Sequence, residues 1–311
     1  MNLLVTLAAT LAALLALRHW LLHREWARRQ AEPFDGVVYQ VGKAAVAERR
    51  CESPRATVLA VHGFIEDVRY FLHFYDDPAV QLIALTSCDY HVAVGDPPHE
   101  RPDWARAPDA PPGSIEYDAA VLVQALEHLP RSRHVRVHGH SRGGAVVLEA
   151  ASMRPDLFEG VEVLLEAPVL PGARLYRAPT ALELWLLAFV VPAWRLRPVS
   201  PFNREAFGSL DHPRKRAHVE AMPFNVKRAA TIVANLLWMR AWMGARDASI
   251  YENVARGFVV VAGLDKVLDA RSMLESARRA GGRLEVLEIE GSSHFPLLDA
   301  PERIPPLEPA R

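Results

Sequence analysis

Short, almost continuously apolar segments alternate with longer helical patterns from Val37 onward in this 311-residue chain. Segments such as V-L-A-V at residues 58–61 and V-V-V-A at residues 259–262 have the composition of strands buried on both faces of a sheet. We predict eight strands, at residues 37–41, 44–48, 57–61, 80–85, 134–137, 161–165, 258–262 and 284–289. This alternation predicts an α/β fold with a mostly parallel, eight-stranded sheet and helices on both faces.

Helical patterns fill most of the intervals between these strands. We predict helices over residues 66–75, 114–129, 143–153 and 271–280, with Ser114 as an N-cap. Two segments interrupt the alternation. Residues 88–113 form a long loop with six prolines, which makes it a candidate wall of a site. Residues 171–252 contain several helical patterns, including 181–191 before Pro192 and 227–243, and they predict a helical cap.

The N-terminus carries an apolar segment long enough to cross a membrane. Residues 3–17 contain no charge, apolar character resumes at residues 20–22, and one helix over 3–22 would span about 30 Å. Basic residues follow this segment and none precedes it: Arg18, Arg24, Arg28 and Arg29. The positive-inside rule therefore predicts an uncleaved single-pass anchor with its basic flank in the cytoplasm, over residues 1–30, followed by one domain over residues 31–311.

Two alternatives for the N-terminal segment fit less well. A cleaved signal peptide has basic residues before its apolar region and a small-residue cleavage site after it. A peripheral amphipathic helix has a polar face, whereas this segment is apolar all round. We expect an inner-membrane protein of a bacterium, with the main domain in the cytoplasm. Cys51 and Cys88 cannot make a disulfide framework, which fits a reducing compartment.

Charge argues against a nucleic-acid partner. The chain has 36 basic and 37 acidic residues, a net charge of −1, and its basic residues are scattered. The sequence contains no metal-ligand cluster, phosphate-binding glycine loop or dinucleotide fingerprint, so we expect neither a metal nor a cofactor.

The strongest local motif is Gly139-His140-Ser141-Arg142-Gly143, which follows a predicted strand and begins a predicted helix. A serine in such a sharp strand-to-helix turn needs small residues two positions before and after it, because strand and helix approach closely there. Gly139 and Gly143 meet that requirement, and the turn would expose the Ser141 hydroxyl as a nucleophile. We expect the His140 side chain to point away from the site.

A serine nucleophile needs a histidine base and an acid that orients the base. Among 13 histidines, His294 lies directly after the last predicted strand, where its loop reaches the same sheet edge as Ser141. Asp265 follows the strand at 258–262 and is the best candidate acid. Asp269 and Glu166 are alternative acids, the first beside the next helix and the second at the end of another strand.

Backbone donors for an oxyanion are also predicted. The strand at 57–61 is followed by His62-Gly63-Phe64, and the glycine allows a close approach of the backbone. The N–H groups of Phe64 and Arg142 are the natural pair of donors to a tetrahedral intermediate. We interpret His62 as a residue that braces this loop.

These motifs together resemble the α/β-hydrolase fold superfamily, in the order Ser141, Asp265, His294 and with H-G-F upstream, over about residues 35–300. The resemblance implies an eight-stranded sheet and a cap inserted before the acid-bearing strand, which fits residues 171–252. Two features depart from the pattern. Residues 89–96 replace the Asp-x-x-Gly-x-Gly-x-Ser loop of many members, and the Pro-rich C-terminus leaves the usual closing helix short or missing.

Similar enzymes with haloalkane dehalogenase or epoxide hydrolase chemistry carry Asp where this chain has Ser141. The sequence therefore predicts a membrane-anchored serine hydrolase, like a carboxylesterase or lipase, that cleaves an ester or thioester with an apolar acyl group. Its substrate would be a small-molecule or lipid-like acyl ester. The alternatives are an acyltransferase or C–C bond hydrolase with the same triad, and a non-catalytic binding protein with the same fold.

Overall fold

The sheet has nine strands in the part of the chain that the structure, a computed structural model, describes: residues 2–29, 31–95, 97–201 and 203–307. The strands are β1 (Val37–Val41), β2 (Ala44–Arg49), β3 (Ala56–Val61), β4 (Val80–Thr86), β5 (His99–Glu100), β6 (Val135–His140), β7 (Glu162–Glu166), β8 (Arg256–Ala262) and β9 (Leu284–Ile289). Their order is β5-β1-β2-β4-β3-β6-β7-β8-β9, and only β2 runs antiparallel to its neighbours. The α/β fold and the mostly parallel sheet are confirmed.

The predicted strand number needs one correction. All eight predicted strands are present, but β5 adds a ninth inside the proline-rich loop, where Val38 pairs with His99 and Tyr39 with Glu100. Its two residues are exposed and polar and carry no hydrophobic pattern. The strand is therefore recognised only from its pairing with the edge of β1.

Helices cover both faces of the sheet. They are α1 (Asn2–His23), α2 (Arg69–Leu72), α3 (Ile115–His128), α4 (Arg142–Met153), α5 (Pro155–Phe158), α6 (Ala181–Leu196), α7 (Arg204–Phe207), α8 (Pro213–Ala221), α9 (Ala229–Ala245), α10 (Ala270–Ala277) and α11 (Pro296–Asp299). Short 3₁₀ turns cover Met222–Phe224, Ala248–Asn253, Arg278–Ala280 and Pro301–Arg303. Alternate β3 residues belong to two separate hydrophobic cores, Leu59 and Val61 to one and Val58 and Ala60 to the other. The sheet is therefore buried on both faces.

Side-chain hydrogen bonds determine where α3 and α2 begin. Ser114 caps α3 as predicted and accepts a hydrogen bond from the Tyr117 N–H. The helix predicted over 66–75 shrinks to α2, because the carboxylates of Glu66 and Asp67 bond the backbone N–H groups of Gly63 and Arg69 in a turn.

The prediction that a helix stops before Pro192 is wrong, because α6 continues to Leu196. Its last turn is held by the buried Arg195, whose guanidinium donates to the carbonyls of Pro223 at 2.8 Å and Val226 at 3.1 Å. These tertiary bonds hold the turn that follows Pro192, where the proline removes one helical hydrogen bond.

Four helices, α6 to α9, lie between β7 and β8, where the cap was predicted. At the N-terminus, α1 is the one helix in the described residues that is long and apolar enough to cross a membrane, over residues 3–23. Its C-terminal turns contact α6 and α9. The division into an anchor (1–30), a hydrolase domain (31–311) and a cap (171–252) stays a prediction. Within these ranges, Met1, Gln30, Asp96, Phe202 and residues 308–311 lie outside the described residues.

Candidate active site

Ser141 lies in the sharp turn between β6 and α4, with φ 51° and ψ −117°. A positive φ is strained for a residue with a side chain, and here hydrogen bonds on both sides hold the turn. The Ser141 N–H donates to the Glu166 carbonyl at 2.9 Å, and the Ser141 carbonyl accepts from the N–H groups of Gly144 and Val169, each at 2.9 Å. The turn thus presents the hydroxyl in a fixed place.

The positions of the glycines around Ser141 leave no room for a side chain. A Cβ on Gly139 would lie 2.5 Å from the Gly143 carbonyl oxygen, and one on Gly143 would lie 2.1 Å from the Val61 carbonyl oxygen. On Gly144, a Cβ would lie 2.5 Å from a Pro168 side-chain carbon. Neither of the first two contacts can be relieved by a flexible side chain, so the close approach of strand and helix predicted for Gly139 and Gly143 is present.

The three predicted side chains Ser141, Asp265 and His294 come together in a hydrogen-bonded chain. His294 Nε2 lies 2.9 Å from the Ser141 Oγ, and His294 Nδ1 lies 2.6 Å from Asp265 Oδ2. The other Asp265 oxygen accepts from the N–H groups of Val267 at 2.7 Å and Leu268 at 2.9 Å. All three residues are buried.

The two alternative acids lie elsewhere. Asp269 caps α10 and accepts from the Ser272 N–H. Glu166 points into a buried network, where it accepts from the Tyr70 hydroxyl at 2.5 Å and the Leu297 N–H at 2.6 Å and contacts His138 Nε2 at 2.9 Å. Neither carboxylate contacts His294.

The loop that carries the predicted oxyanion donor is braced by side chains. His62 Nδ1 lies 2.8 Å from the Gly63 carbonyl, while His62 Nε2 accepts from the Ser87 N–H at 3.1 Å. This pair of contacts requires a neutral ring protonated at Nδ1, and burial lowers the pKa of His62 accordingly. Within the described residues, the Phe64 N–H has no protein acceptor, and the Arg142 N–H, first in α4, has none within the helix. Both remain available as donors.

His140 does not point away from the site as expected. Its Nδ1 lies 2.7 Å from the Glu66 carboxylate, and its Nε2 lies 2.8 Å from the backbone carbonyl of His294. Both ring nitrogens face acceptors, so both must be protonated. Burial alone would lower the pKa of His140, but the charge of Glu66 raises it to about 9. Glu66, whose pKa burial alone would raise, is lowered to about 2 by His140.

This buried ion pair connects two parts of the site, because Glu66 also accepts from the Gly63 N–H at 3.0 Å. The pair therefore ties the oxyanion loop to the loop of His294. Ligand atoms of Glu66, His140 and His294 lie within 4.8 Å of one another, a spacing that could hold a cation. Here the hydrogen bonds between these groups and Ser141 account for that spacing.

Arg142 contributes its side chain as well as its N–H, which the sequence did not indicate. The buried guanidinium donates to Asp118 at 2.7 Å, to the Ser87 hydroxyl at 3.1 Å and to the Gly113 carbonyl at 3.0 Å. It thereby fixes the start of α3 against the start of α4. A charged residue directly after Ser141, in an otherwise apolar helix start, is the only signal that the sequence offers for this role.

A cavity of about 310 Å³ opens beside Ser141 and Phe64. Its wall is mostly apolar and includes Leu175, Leu236 and Met239, with Arg177 and Lys266 as charged exceptions. A larger cavity, of about 480 Å³, lies behind His218 and Leu297, and Ser141 does not line it. Of these two cavities, the smaller one is therefore the one that adjoins the Ser141 hydroxyl.

The proline-rich loop at 88–113 does not line the Ser141 cavity in the described residues, which corrects its prediction as a site wall. Tyr90 of that loop instead connects the segment after Phe64 to α9. Its hydroxyl accepts from the Ile65 N–H at 3.0 Å and donates to Asn235 at 2.9 Å.

Comparisons with known proteins agree with this architecture. The alpha/beta hydrolase family matches residues 58–304. No curated protein sequence matches the chain. Among solved structures, an esterase (EaEST) from Exiguobacterium antarcticum is similar at a TM-score of 0.63 with 13% identity, covering 86% of this chain and 96% of that one.

Two further structures show how widely this fold is used. A bromoperoxidase from Bacillus anthracis is similar at a TM-score of 0.59 with 15% identity, covering 84% of this chain and 91% of that one. A thermophilic esterase from Thermogutta terrifontis is similar at a TM-score of 0.57 with 16% identity, covering 84% and 90%. At these identities the likeness concerns the fold alone. The family match over residues 58–304 decides the classification: this chain belongs to the alpha/beta hydrolase family.

Proposed function

We propose that this protein is a membrane-anchored serine hydrolase that cleaves an ester or thioester with an apolar acyl group. The observation that carries the proposal is the hydrogen-bonded chain from Ser141 through His294 to Asp265, with distances of 2.9 and 2.6 Å. A buried serine on a strained turn, joined to a histidine and an acid in this order, is the arrangement that activates a hydroxyl as a nucleophile.

The reaction begins when the Ser141 Oγ attacks the acyl carbonyl carbon and His294 Nε2 accepts the hydroxyl proton. Asp265 keeps the His294 Nδ1 protonated and stabilises the imidazolium that forms. Asp265 is itself fixed by two backbone N–H groups, so its carboxylate does not reorient during the reaction.

The developing oxyanion would be stabilised by the N–H groups of Phe64 and Arg142. Loss of one such donor typically costs about 3–4 kcal/mol of transition-state stabilisation. The His294 proton then passes to the leaving alcohol or thiol, which leaves an acyl group on Ser141. Water, deprotonated by His294, hydrolyses this acyl-enzyme and regenerates the serine.

The cavity beside Ser141 supports an apolar acyl group. Its volume of about 310 Å³ is at the small end of ligand pockets, and side chains such as Leu236 and Met239 face it. The ammonium of Lys266, which also lines this cavity, donates to the Tyr176 hydroxyl at 2.9 Å.

The helix α1 is the proposed anchor. Its span of 21 residues, 3–23, is mostly apolar and long enough to cross a hydrocarbon core of about 30 Å. The arginines after it, including Arg24 and Arg29, favour a cytoplasmic location of the catalytic domain, at the inner membrane of a bacterium.

A fluorophosphonate probe tests the nucleophile directly. We expect the full-length protein in isolated membranes to be labelled, and the Ser141→Ala variant to lose the label. Ser292→Ala is a matched control, because Ser292 is also buried in this region but its hydroxyl donates to the Ser293 carbonyl. Labelling of Ser141→Ala equal to wild type would overturn the proposal.

A panel of p-nitrophenyl esters and acyl thioesters, with and without an alcohol acceptor, tests the reaction class. Hydrolysis of apolar acyl esters to free acid is expected. Products in which most of the acyl group moves to the alcohol would replace hydrolysis with acyl transfer.

A further inference from the structure

Helix α6 presents an apolar stripe to the outside of the molecule. Leu182, Leu186, Val190 and Leu196 are exposed, with 64% exposure at Leu182 and 89% at Leu196. At 3.6 residues per turn, these four positions fall within an arc of about 120° on one side of the helix. Single exposed leucines are ordinary on protein surfaces, but a stripe along four turns of one helix is a candidate interface.

Helix α9 extends this surface with Leu237 and Trp238, both exposed. The two helices contact each other, and both contact α1. We call the combined surface the outer apolar face: Leu182, Leu186, Val190, Leu196, Leu237 and Trp238. On α9, the neighbouring residues Leu236 and Met239 line the cavity beside Ser141. One helix therefore carries part of the cavity wall and part of the outer apolar face.

The geometry of α1 places this face at the level of a bilayer. Residues 3–17 of α1 are exposed and would span only about 22 Å, less than a hydrocarbon core of about 30 Å. The remaining length must come from residues 18–22, where Leu22 is already buried against the domain. A bilayer crossed by α1 therefore reaches the level at which α1 meets α6.

The contact between α1 and α6 fits such a position. Arg18 donates from Nε to the Trp185 carbonyl at 3.0 Å, and its guanidinium lies 5.3 Å from the centre of the Trp185 ring. A cation near the edge of the hydrocarbon needs partners of this kind. Trp185 directly precedes Leu186 of the outer apolar face, so α1 contacts α6 beside that face.

Aromatic and basic side chains mark the boundary on the domain side. Arg24 lies over the rings of Trp20 and Trp26, at 4.9 and 4.5 Å, and Arg195 lies 4.2 Å from the Trp26 ring. Tryptophan and arginine are enriched where a membrane protein passes from hydrocarbon to headgroups. Trp20 lies in the last turns of α1, Arg24 and Trp26 directly follow that helix, and Arg195 comes from α6.

We infer that the outer apolar face lies in the hydrocarbon of the same bilayer that α1 crosses, and that its partner is the acyl chains of membrane lipids. The inference rests on the proposed anchor and extends the proposed function. An ester dissolved in the bilayer then reaches the wall of the Ser141 cavity along α9 without first entering bulk water. The substrate class that this arrangement serves is a membrane-borne acyl ester.

Nitroxide labels on single cysteines test this position in the full-length protein, reconstituted in phosphatidylethanolamine–phosphatidylglycerol vesicles. On a background with Cys51→Ser and Cys88→Ala, the test sites are Leu186→Cys and Val190→Cys. Leu11→Cys reports the anchor. Met153→Cys is the matched control, because Met153 is as exposed as Leu186 but ends α4 away from the Ser141 edge. Thermal unfolding of each variant in detergent checks its fold.

Collision rates with oxygen, which concentrates in hydrocarbon, and with a water-soluble nickel chelate give the position of each label. We expect the collision rate with oxygen to exceed that with the nickel chelate for labels at positions 11, 186 and 190. For the label at position 153, we expect the nickel chelate to collide more often than oxygen. If Leu11 is in hydrocarbon while both α6 labels prefer nickel, the further inference is wrong and the anchor stands. If Leu11 also prefers nickel, the anchor itself fails, and the inference that rests on it fails too.

Discussion

Two buried histidine–carboxylate pairs lie side by side at the edge of the sheet that carries Ser141, and they differ in what the second ring nitrogen faces. His294 is held by Asp265 at 2.6 Å and His140 by Glu66 at 2.7 Å, with the two rings 5.1 Å apart. The Nε2 of His294 faces the Ser141 hydroxyl, which can give up a proton. The Nε2 of His140 faces a backbone carbonyl, which can only accept one.

The comparison shows that a carboxylate alone does not make a histidine a base. His294 can exchange its Nε2 proton with Ser141, so it suits acid–base work. His140 has acceptors on both sides and stays a cation, so it suits positioning. The predictions below test this division, from the largest effect to the smallest.

The first prediction concerns the His294 pair. Replacing Asp265 with Asn should lower kcat about 10⁴-fold, because the amide does not hold His294 in the tautomer that accepts the serine proton. Asp269→Asn is the matched control. Asp269 caps α10, and Asn caps helices about equally well, so its kcat should stay close to wild type. Steady-state hydrolysis of a soluble p-nitrophenyl ester measures both.

Equal losses in the two variants would assign the orienting role to more than one acid and contradict this pairing. Loss in Asp269→Asn alone would transfer the role to Asp269.

The second prediction concerns the His140 pair. His140→Gln leaves the buried Glu66 without a cation, and breaking a buried ion pair in this way typically costs about 3–5 kcal/mol of unfolding free energy. The double variant Glu66→Gln, His140→Gln removes both charges and should recover at least half of that loss. Urea unfolding in detergent, followed by tryptophan fluorescence, gives the free energies.

A double variant as unstable as His140→Gln would mean that volume and packing, not charge, set the cost. In that case the two pairs would not differ by the charge state assigned to His140.

Much of the candidate active site could be predicted from sequence because its signals are local. The glycines around Ser141, the positions of Asp265 and His294 after strands, and H-G-F at residues 62–64 each follow from the end of a buried strand. Parallel strands bring their carboxyl ends to one edge, so residues far apart in sequence meet there.

The His140 pair could not be predicted in the same way. Glu66 and His140 are 74 residues apart, and Glu66, predicted as the start of a helix over 66–75, lies in a turn before α2. Burial of both side chains depends on how the loop after β3 folds over β6, which no spacing encodes. The same reason hides the Arg142–Asp118 pair, whose two members lie on different helices.

The last prediction concerns how the stabilisation by the Glu66–His140 pair depends on pH. The folded pKa of His140, about 9, exceeds its usual value of 6.5, so its stabilisation is full below pH 6.5 and is lost as the pH rises through 9. The folded pKa of Glu66, about 2, is below its usual 4.5, so its contribution is full above pH 4.5 and is lost as the pH falls through 2. The pair therefore stabilises the fold most between pH 4.5 and 6.5.

Between pH 6.5 and 9, the unfolding free energy of wild type should fall relative to the double variant Glu66→Gln, His140→Gln by about 1–3 kcal/mol. Urea unfolding of both proteins at pH 6, 7.5 and 9 measures this change, and a difference that stays constant over that range would show that His140 is not the fixed cation that distinguishes it from His294.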